Sequence, residues 1–243
     1  MSRIEWTDVT WNPTVGCSVI SPGCTNCYAM RMAARLSSMG IAKYDGLTRR
    51  SGRGHKWNGV VRLDIESLKI PYSWSRPRRV FVNSMSDLFH ENLRDSEIER
   101  VWRVMEELPQ HEFQILTKRS DRLADVTRKL PLLKNVWLGV SVENKYELAR
   151  IDDLRRSQSA IRFISFEPLL EDLGDLNLRD IDWCIVGGES GPGARPIQAN
   201  WVRNILFAAR EHNVAFHFKQ WGGPQKKRNG RLLDGKTYDE FPT

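Results

Sequence analysis

The spacing of apolar residues changes repeatedly after residue 80, and each change predicts a switch between a short strand and a helix. "RRVFVN" (78–83) is a β-branched and aromatic run. In the "DSEIERVWRVMEEL" that follows, Ile98, Val101, Trp102, Met105 and Leu108 share one helical face, Ser96 and Glu99 are spaced as a capping box, and Pro109 is a stop. "EFQILTK" (112–118) then leads into "SDRLADVTRKL", and "NVWLGVSVE" (135–143) into "NKYELARIDDLRR". "IRFISFEP" (161–168), "DWCIVGGES" (182–190), the helix-period "NWVRNILFAAREH" and "VAFHFKQWG" (214–222) complete the series. Successive apolar runs begin roughly 20–35 residues apart, the length of one βα unit.

Apolar runs this continuous, separated by helices, predict parallel strands buried on both faces. Polar or small residues follow each run: Asn83, Ser84 and Asp87; Thr117 and Lys118; Ser141 and Glu143; Glu167; Gly187, Gly188 and Glu189; Lys219 and Gln220. A (βα) barrel, partial or closed, gathers all its strand ends on one C-terminal face. An open doubly wound sheet gathers only those near its switch point. The spread of polar ends over every run therefore predicts an α/β fold with a single (βα) barrel domain over residues 1–243. The first 79 residues are less regular; "IEWTDVTWNPTVGC" supplies an opening strand and "VVRLDI" (60–65) another. No linker, low-complexity segment or further repeat divides the chain.

Four cysteines in 243 residues do not make a disulfide scaffold, and no apolar stretch follows a basic start as in a secretory signal. The expectation is a cytoplasmic protein with reduced thiols, and no run approaches the roughly 18 apolar residues of a membrane span. The net charge of +7 reflects 37 Lys and Arg against 30 Asp and Glu. Basic residues crowd into "TRRSGRGHK" (48–56), "SRPRR" (75–79) and "KKRNGR" (226–231). Such clusters attract phosphate-bearing partners or form a solvated basic surface. Aromatic residues interleaved in "HKWNG" and "SWSRP" lean toward nucleic acid.

Three of the four cysteines stand together. Cys17, Cys24 and Cys27 follow C-x6-C-x2-C, with Gly16, Pro22 and Gly23 supplying turns. Tyr28, Met32, Leu36 and Met39 then form a helical stripe that Gly40 can end. Three thiolates on one loop can hold three corners of an iron–sulfur cubane and leave the fourth iron open. A zinc site closed by His55 or His90 is the competing reading, and small buried hydrophobes are a third. Cys184, alone in an apolar run, reads as core, with hydrogen-atom donation to a substrate radical as its other use.

The segment "WNPTVGCSVISPGCTNCYA" resembles the signature of a phage-associated three-Cys-motif family grouped with radical S-adenosylmethionine enzymes. "FVNSMSDLFH", "FQILTKR", "VWLGVSVE", "FISFEPLL", "IVGGESG" and "FHFKQWGG" resemble that family's other blocks, and "CYA" resembles a turn in DNA photoproduct lyases. The resemblance implies a partial or full βα barrel with a 4Fe-4S cluster on Cys17, Cys24 and Cys27. It also implies S-adenosylmethionine chelating the open iron, an external electron donor, and reductive cleavage to a 5′-deoxyadenosyl radical. A phage association suits DNA modification or repair. Two features depart from the superfamily pattern: six residues rather than three fill the first gap, and Asn26 stands where an aromatic residue usually precedes the last cysteine.

Among the strand ends, Gly187 and Gly188 allow backbone to approach a ligand, with Glu189 and Ser190 for ribose hydroxyls. Asn83, Ser84, Ser86 and Asp87 offer acceptors for the cofactor's ammonium group. Glu167 precedes Pro168, which restricts the backbone there and suits a positioned carboxylate. Lys118, Glu143, Lys219 and Gln220 complete a mixed-charge ring, in which Lys118, Glu167 and Lys219 are the candidates for catalysis and Glu143 for the cofactor. The reading from a different class is a zinc-stabilised nucleic-acid-binding barrel without redox chemistry.

Overall fold

The computed structural model describes residues 4–52 and 54–242, apart from the side chains of residues 226 and 227. Its strands in chain order are β1 (Val9–Trp11), β2 (Thr14–Val15), β3 (Thr48–Ser51), β4 (Gly54–Trp57), β5 (Arg62–Leu63), β6 (Arg79–Val82), β7 (Glu112–Thr117), β8 (Val136–Ser141), β9 (Ile161–Phe166), β10 (Trp183–Gly187) and β11 (Ala215–Gln220). Seven of them form one parallel sheet in the order β1-β6-β7-β8-β9-β10-β11, so each later strand lies beside its predecessor. Helices α2 (Asp95–Glu107), α3 (Ser120–Thr127), α4 (Ala149–Arg156) and α5 (Ala199–Glu211) alternate with these strands, and α1 (Tyr28–Ser38) follows the cysteine loop. The result is a partial (βα) barrel. β1 and β11 are its edges, and no pairing between them closes it among the described residues.

Strand alternation divides the apolar side chains into two layers. Val80, Val82, Phe113, Ile115, Val140, Ile164 and Val186 join the helices' Ile98, Val101, Trp102, Leu123, Leu154, Val202 and Ile205 in the main core. Phe81, Trp137, Phe163, Trp183 and Ile185 alternate with them and pack with Trp6 on the other face of the sheet. Cys184 belongs to the helix-side core and is fully buried, with its thiol pushed up by that burial. Alternation thus aims it away from the inner face.

The helix starts and faces differ in detail from the sequence expectation. Helix α2 buries Ile98, Val101, Trp102 and Met105 as the spacing predicts, but it starts at Asp95. Its N-terminal bond is Arg94 N–H to Glu97 Oε2 at 2.9 Å, and Glu99 is exposed, so Ser96 and Glu99 do not form the capping box. Helix α1 buries Ala29, Met30 and Ala33, whereas Tyr28, Met32 and Met39 of the predicted stripe are exposed. The reason is its partner. The β3–β4 hairpin brings buried Trp57 against the helix, its backbone N–H meeting Met30 Sδ at 3.4 Å, and small side chains permit that approach.

Trp57 is thereby removed from any stacking role. Trp74 is half-buried, with Arg78 over one ring and His111 against it, so neither interleaved aromatic presents itself to a nucleic acid. Of the basic stretches, 75–79 leads into the N-terminal end of β6, far from the strand ends that carry the polar residues. Arg53, Lys226 and Lys227, parts of the other two stretches, lie outside the described residues and side chains.

Candidate metal centre

The loop carrying Cys17, Cys24 and Cys27 is tied to the C-terminal ends of the main strands by their own polar residues. Glu143, just beyond β8 and completely buried, accepts bonds at Oε1 from the Ser21 hydroxyl and from Gly23 N–H at 3.1 Å. Its Oε2 faces Arg150 Nη1 at 2.9 Å and Lys118 Nζ at 3.5 Å. Burial alone would raise the Glu143 pKa; the Lys118 charge, the Ser21 hydroxyl and Arg150 outweigh it and hold the carboxyl below its usual range. Glu189, beyond β10, accepts Asn26 Nδ2 at 3.0 Å and pairs with Arg195, whose Nη2 also donates to Pro22 O at 2.9 Å. Two strand-end carboxylates therefore fix the loop at Ser21–Gly23 and at Asn26.

A third carboxylate serves Cys17. Asp87 accepts Thr117 Oγ1 at 2.6 Å and Lys118 N–H at 3.1 Å, and pairs with Arg119 Nη1 at 3.0 Å. The same Nη1 lies 3.7 Å from Cys17 Sγ, while Arg119 Nε is held by Glu91 Oε2 at 2.6 Å. Burial, followed by the Asp87 charge, pushes the Cys17 thiol up to about 12, with Cys24 and Cys27 adding to the rise and Arg119 opposing it. Burial also raises Cys27, again with a contribution from Cys24. Cys24 thus contributes to the rise at both of its neighbours in the motif. Among the described residues, no three His, Cys, Asp or Glu side chains converge tightly enough to hold a single metal ion.

Glu167 and Lys219 form the fourth pair, at 2.8 and 2.9 Å, across β10. A Cβ on the intervening Gly187 would stand 3.2 Å from the Glu167 carboxyl carbon, so the glycine makes room for this bridge. A Cβ on Gly188 would stand 2.2 Å from Trp221 O. That glycine packs one strand-end loop on another. Asn83, with φ at 63°, joins β1 to β6: its N–H bonds Trp11 O at 2.7 Å and its Oδ1 accepts Thr14 N–H at 3.2 Å. Ser84 O accepts the Tyr28 hydroxyl at 2.5 Å. The buried donors Asn83 Nδ2 and Arg119 Nη2 have no hydrogen-bond acceptor among the described residues.

All thirteen candidate residues therefore lie in the loop or at the strand ends, and several of them hold each other. Among the described residues, neither histidine offered as a fourth zinc ligand bonds to a cysteine sulfur. His90 Nδ1 accepts Asn92 N–H at 3.1 Å, which leaves the proton on Nε2 to meet Ser18 Oγ at 2.7 Å. Burial pulls the His90 pKa down to about 4. His55 is exposed on β4. Arg119, Arg150, Arg195, Asn26 and Ser21 were not foreseen; Asn26 and Ser21 sit inside the motif, and their polarity between turn residues was the available signal.

A family model described as a protein of unknown function (DUF5131) matches residues 1–242. The chain belongs to this family. No curated protein matches it. Among solved structures, a double mutant of spore photoproduct lyase with bound AdoMet and dinucleoside spore photoproduct is similar, at 12% identity and a TM-score of 0.40. The match covers 84% of this chain and 62% of that one, so the DUF5131 chain spans about three fifths of the lyase's length. No described helix is long and apolar enough to cross a membrane.

Proposed function

We propose that this protein is a radical S-adenosylmethionine enzyme whose 4Fe-4S cluster is held by Cys17, Cys24 and Cys27. The observation that carries the reading is the scaffold around the loop: strand-end carboxylates Glu143 and Glu189 fix it from two sides, and Arg119, itself fixed by Asp87, reaches Cys17. An all-thiol donor set of three suits an iron–sulfur cluster with one open position. The unpartnered donors on Asn83 and Arg119 suit an acceptor-rich ligand beside it. Such a cluster with S-adenosylmethionine supplies one-electron reductive cleavage of the sulfonium, fed by an external donor.

The chain's own groups divide the remaining work. Glu143, Glu189 and Asp87 act as positioning residues, since their oxygens are spent on the loop and on Arg119. Arg119 favours the thiolate of Cys17 by donating to its sulfur. Asn83 and Ser84 would offer polar contacts to the cofactor, and Gly187 and Gly188, which carry no Cβ, would let backbone approach it. The Glu167–Lys219 pair, only partly buried, can hold or move a proton at the substrate, with Lys118 next to Glu143 as a second cation. The reading keeps a single domain and a cytoplasmic setting, where thiols stay reduced.

The test is to reduce the reconstituted protein with dithionite in the presence of S-adenosylmethionine. The expected product is 5′-deoxyadenosine, lost in Cys17→Ala, Cys24→Ala and Cys27→Ala. Intact cofactor after reduction of an iron-loaded protein overturns the proposal.

A further inference from the structure

We propose that the outer surface of the β3–β4 hairpin and helix α1 is a nucleic-acid interface that leads to the cysteine loop. Charge is the first observation. Residues 18–62 contain eight Lys and Arg and one acid, an excess of seven that equals the chain's net charge, and the remaining 29 basic and 29 acidic residues balance. The basic character of the protein is therefore local to the segment that starts in the loop and builds α1 and the hairpin.

The arrangement within the hairpin is the second observation. Its antiparallel register sets Arg49 opposite Lys56 and Arg50 opposite His55, all of them exposed. Like charges directly opposite each other, as Arg49 and Lys56 are, weaken a two-stranded ribbon. Exposed arginines on α5 are paired instead, Arg203 with Asp234 and Arg210 with Glu240. Arg31, Arg35, Arg49, Arg50 and Lys56 have no ion-pair or hydrogen-bond partner for their side chains among the described residues. The one acid of the segment, Asp45, takes a bond from Ser37 Oγ at 2.7 Å. An anionic partner relieves the repulsion that the fold leaves in place.

Position is the third. Helix α1 packs on both hairpin strands and begins directly after Cys27. Arg31 extends from it to the strand-end loops; a Cβ at Gly191, two residues beyond Glu189, would stand 2.8 Å from its Nη2. The basic surface therefore runs from the hairpin to the strand-end loop beyond Glu189. A two-stranded ribbon is of a width that enters a duplex major groove, and the half-exposed Tyr28 ring directly after Cys27 offers a stacking face. This choice of partner class extends the radical reading, but binding is measured without cofactor, so either can fail while the other stands.

The experiment is fluorescence anisotropy of the full chain with a labelled 20-base-pair DNA duplex and its single strand over a salt series. Wild-type protein should bind at least one of them with a steep salt dependence. R49Q/R50Q/K56Q should weaken binding at least tenfold and flatten the salt slope by roughly one for each phosphate no longer neutralised. The charge-matched control R76Q/R100Q/R103Q, at exposed positions elsewhere, should stay within about twofold. Thermal unfolding gives a second readout, since removing the Arg49–Lys56 like-charge pair should leave the hairpin variant as stable as wild type or more so. Equal losses in both variants, unchanged binding in the hairpin variant, or binding to phosphatidylserine vesicles and not to DNA overturns the proposal.

Discussion

Toward the N-terminal ends of the strands, Trp183 is ringed by Trp6, Trp137, Phe163 and Phe241 with centroids 5.0–6.1 Å away, and its indole N–H donates to Glu240 O at 2.8 Å. Toward the C-terminal ends, Asp87, Glu143, Glu167 and Glu189 meet Arg119, Arg150, Lys219 and Arg195. The first end gains stability from apolar area and aromatic edges. The second costs desolvation that ion pairs offset only when every group is satisfied. A chain selected for stability alone has no need of four carboxylates there; Asp87, Glu143 and Glu189 answer to the loop, and Glu167 to Lys219.

The largest effect should come from the aromatic end. Trp183→Ala removes the hub and should cost about 3–5 kcal/mol in urea unfolding, with iron content per folded chain unchanged after reconstitution. If iron falls in step with stability, the two ends are not independent.

Glu143→Gln reverses the emphasis. It leaves Arg150 and Lys118 without their buried anion and weakens the hold on Ser21 and Gly23, at a stability cost of about 1–3 kcal/mol. Iron retention during gel filtration should drop sharply, a loss that Trp183→Ala does not share. Full iron retention would remove Glu143 from the scaffold.

Acid should act first on the buried histidines. Burial holds His90 and His217 down to about 4, below the usual 6.5. The unfolded chain therefore binds more protons between about pH 6.5 and 4, and stability falls as pH drops through that window. Scanning calorimetry of His217→Phe, which keeps a ring against Trp183, should show a shallower decline there than wild type; an unchanged slope contradicts the assignment.

The smallest change is expected of Glu167→Gln. The pair with Lys219 is partly solvated, so stability should move by less than about 1 kcal/mol, with iron content and 5′-deoxyadenosine yield retained. Loss of either would make Glu167 part of the scaffold, like Glu143.

What could be read in advance follows from range. The strands from β6 to β11 and the polar residues at their ends are written in local period and order, and so is the cysteine loop with its turns. The partners are not: Glu143 meets Ser21 and Asn26 meets Glu189 across more than a hundred residues, and nothing local marks Arg119 for Cys17 rather than for solvent. The face of α1 was ambiguous for another reason. Two apolar stripes share that helix, and bulk favours Tyr28 and Met32, whereas close packing on the hairpin selects Ala29 and Ala33. The N-terminus of α2 lies before the one the Ser96–Glu99 spacing predicts, because Arg94 and Glu97 make the backbone bond that this spacing mimics.

The most direct test of the central claim is a metal assay. Iron, acid-labile sulfide and zinc are measured per chain on protein purified without oxygen, beside Cys17→Ala, Cys24→Ala and Cys27→Ala. The account expects about four irons with matching sulfide in the wild type, and far less in each variant while the sheet stays folded. One tightly held zinc per chain without sulfide would contradict it and leave the strand-end scaffold serving a structural metal.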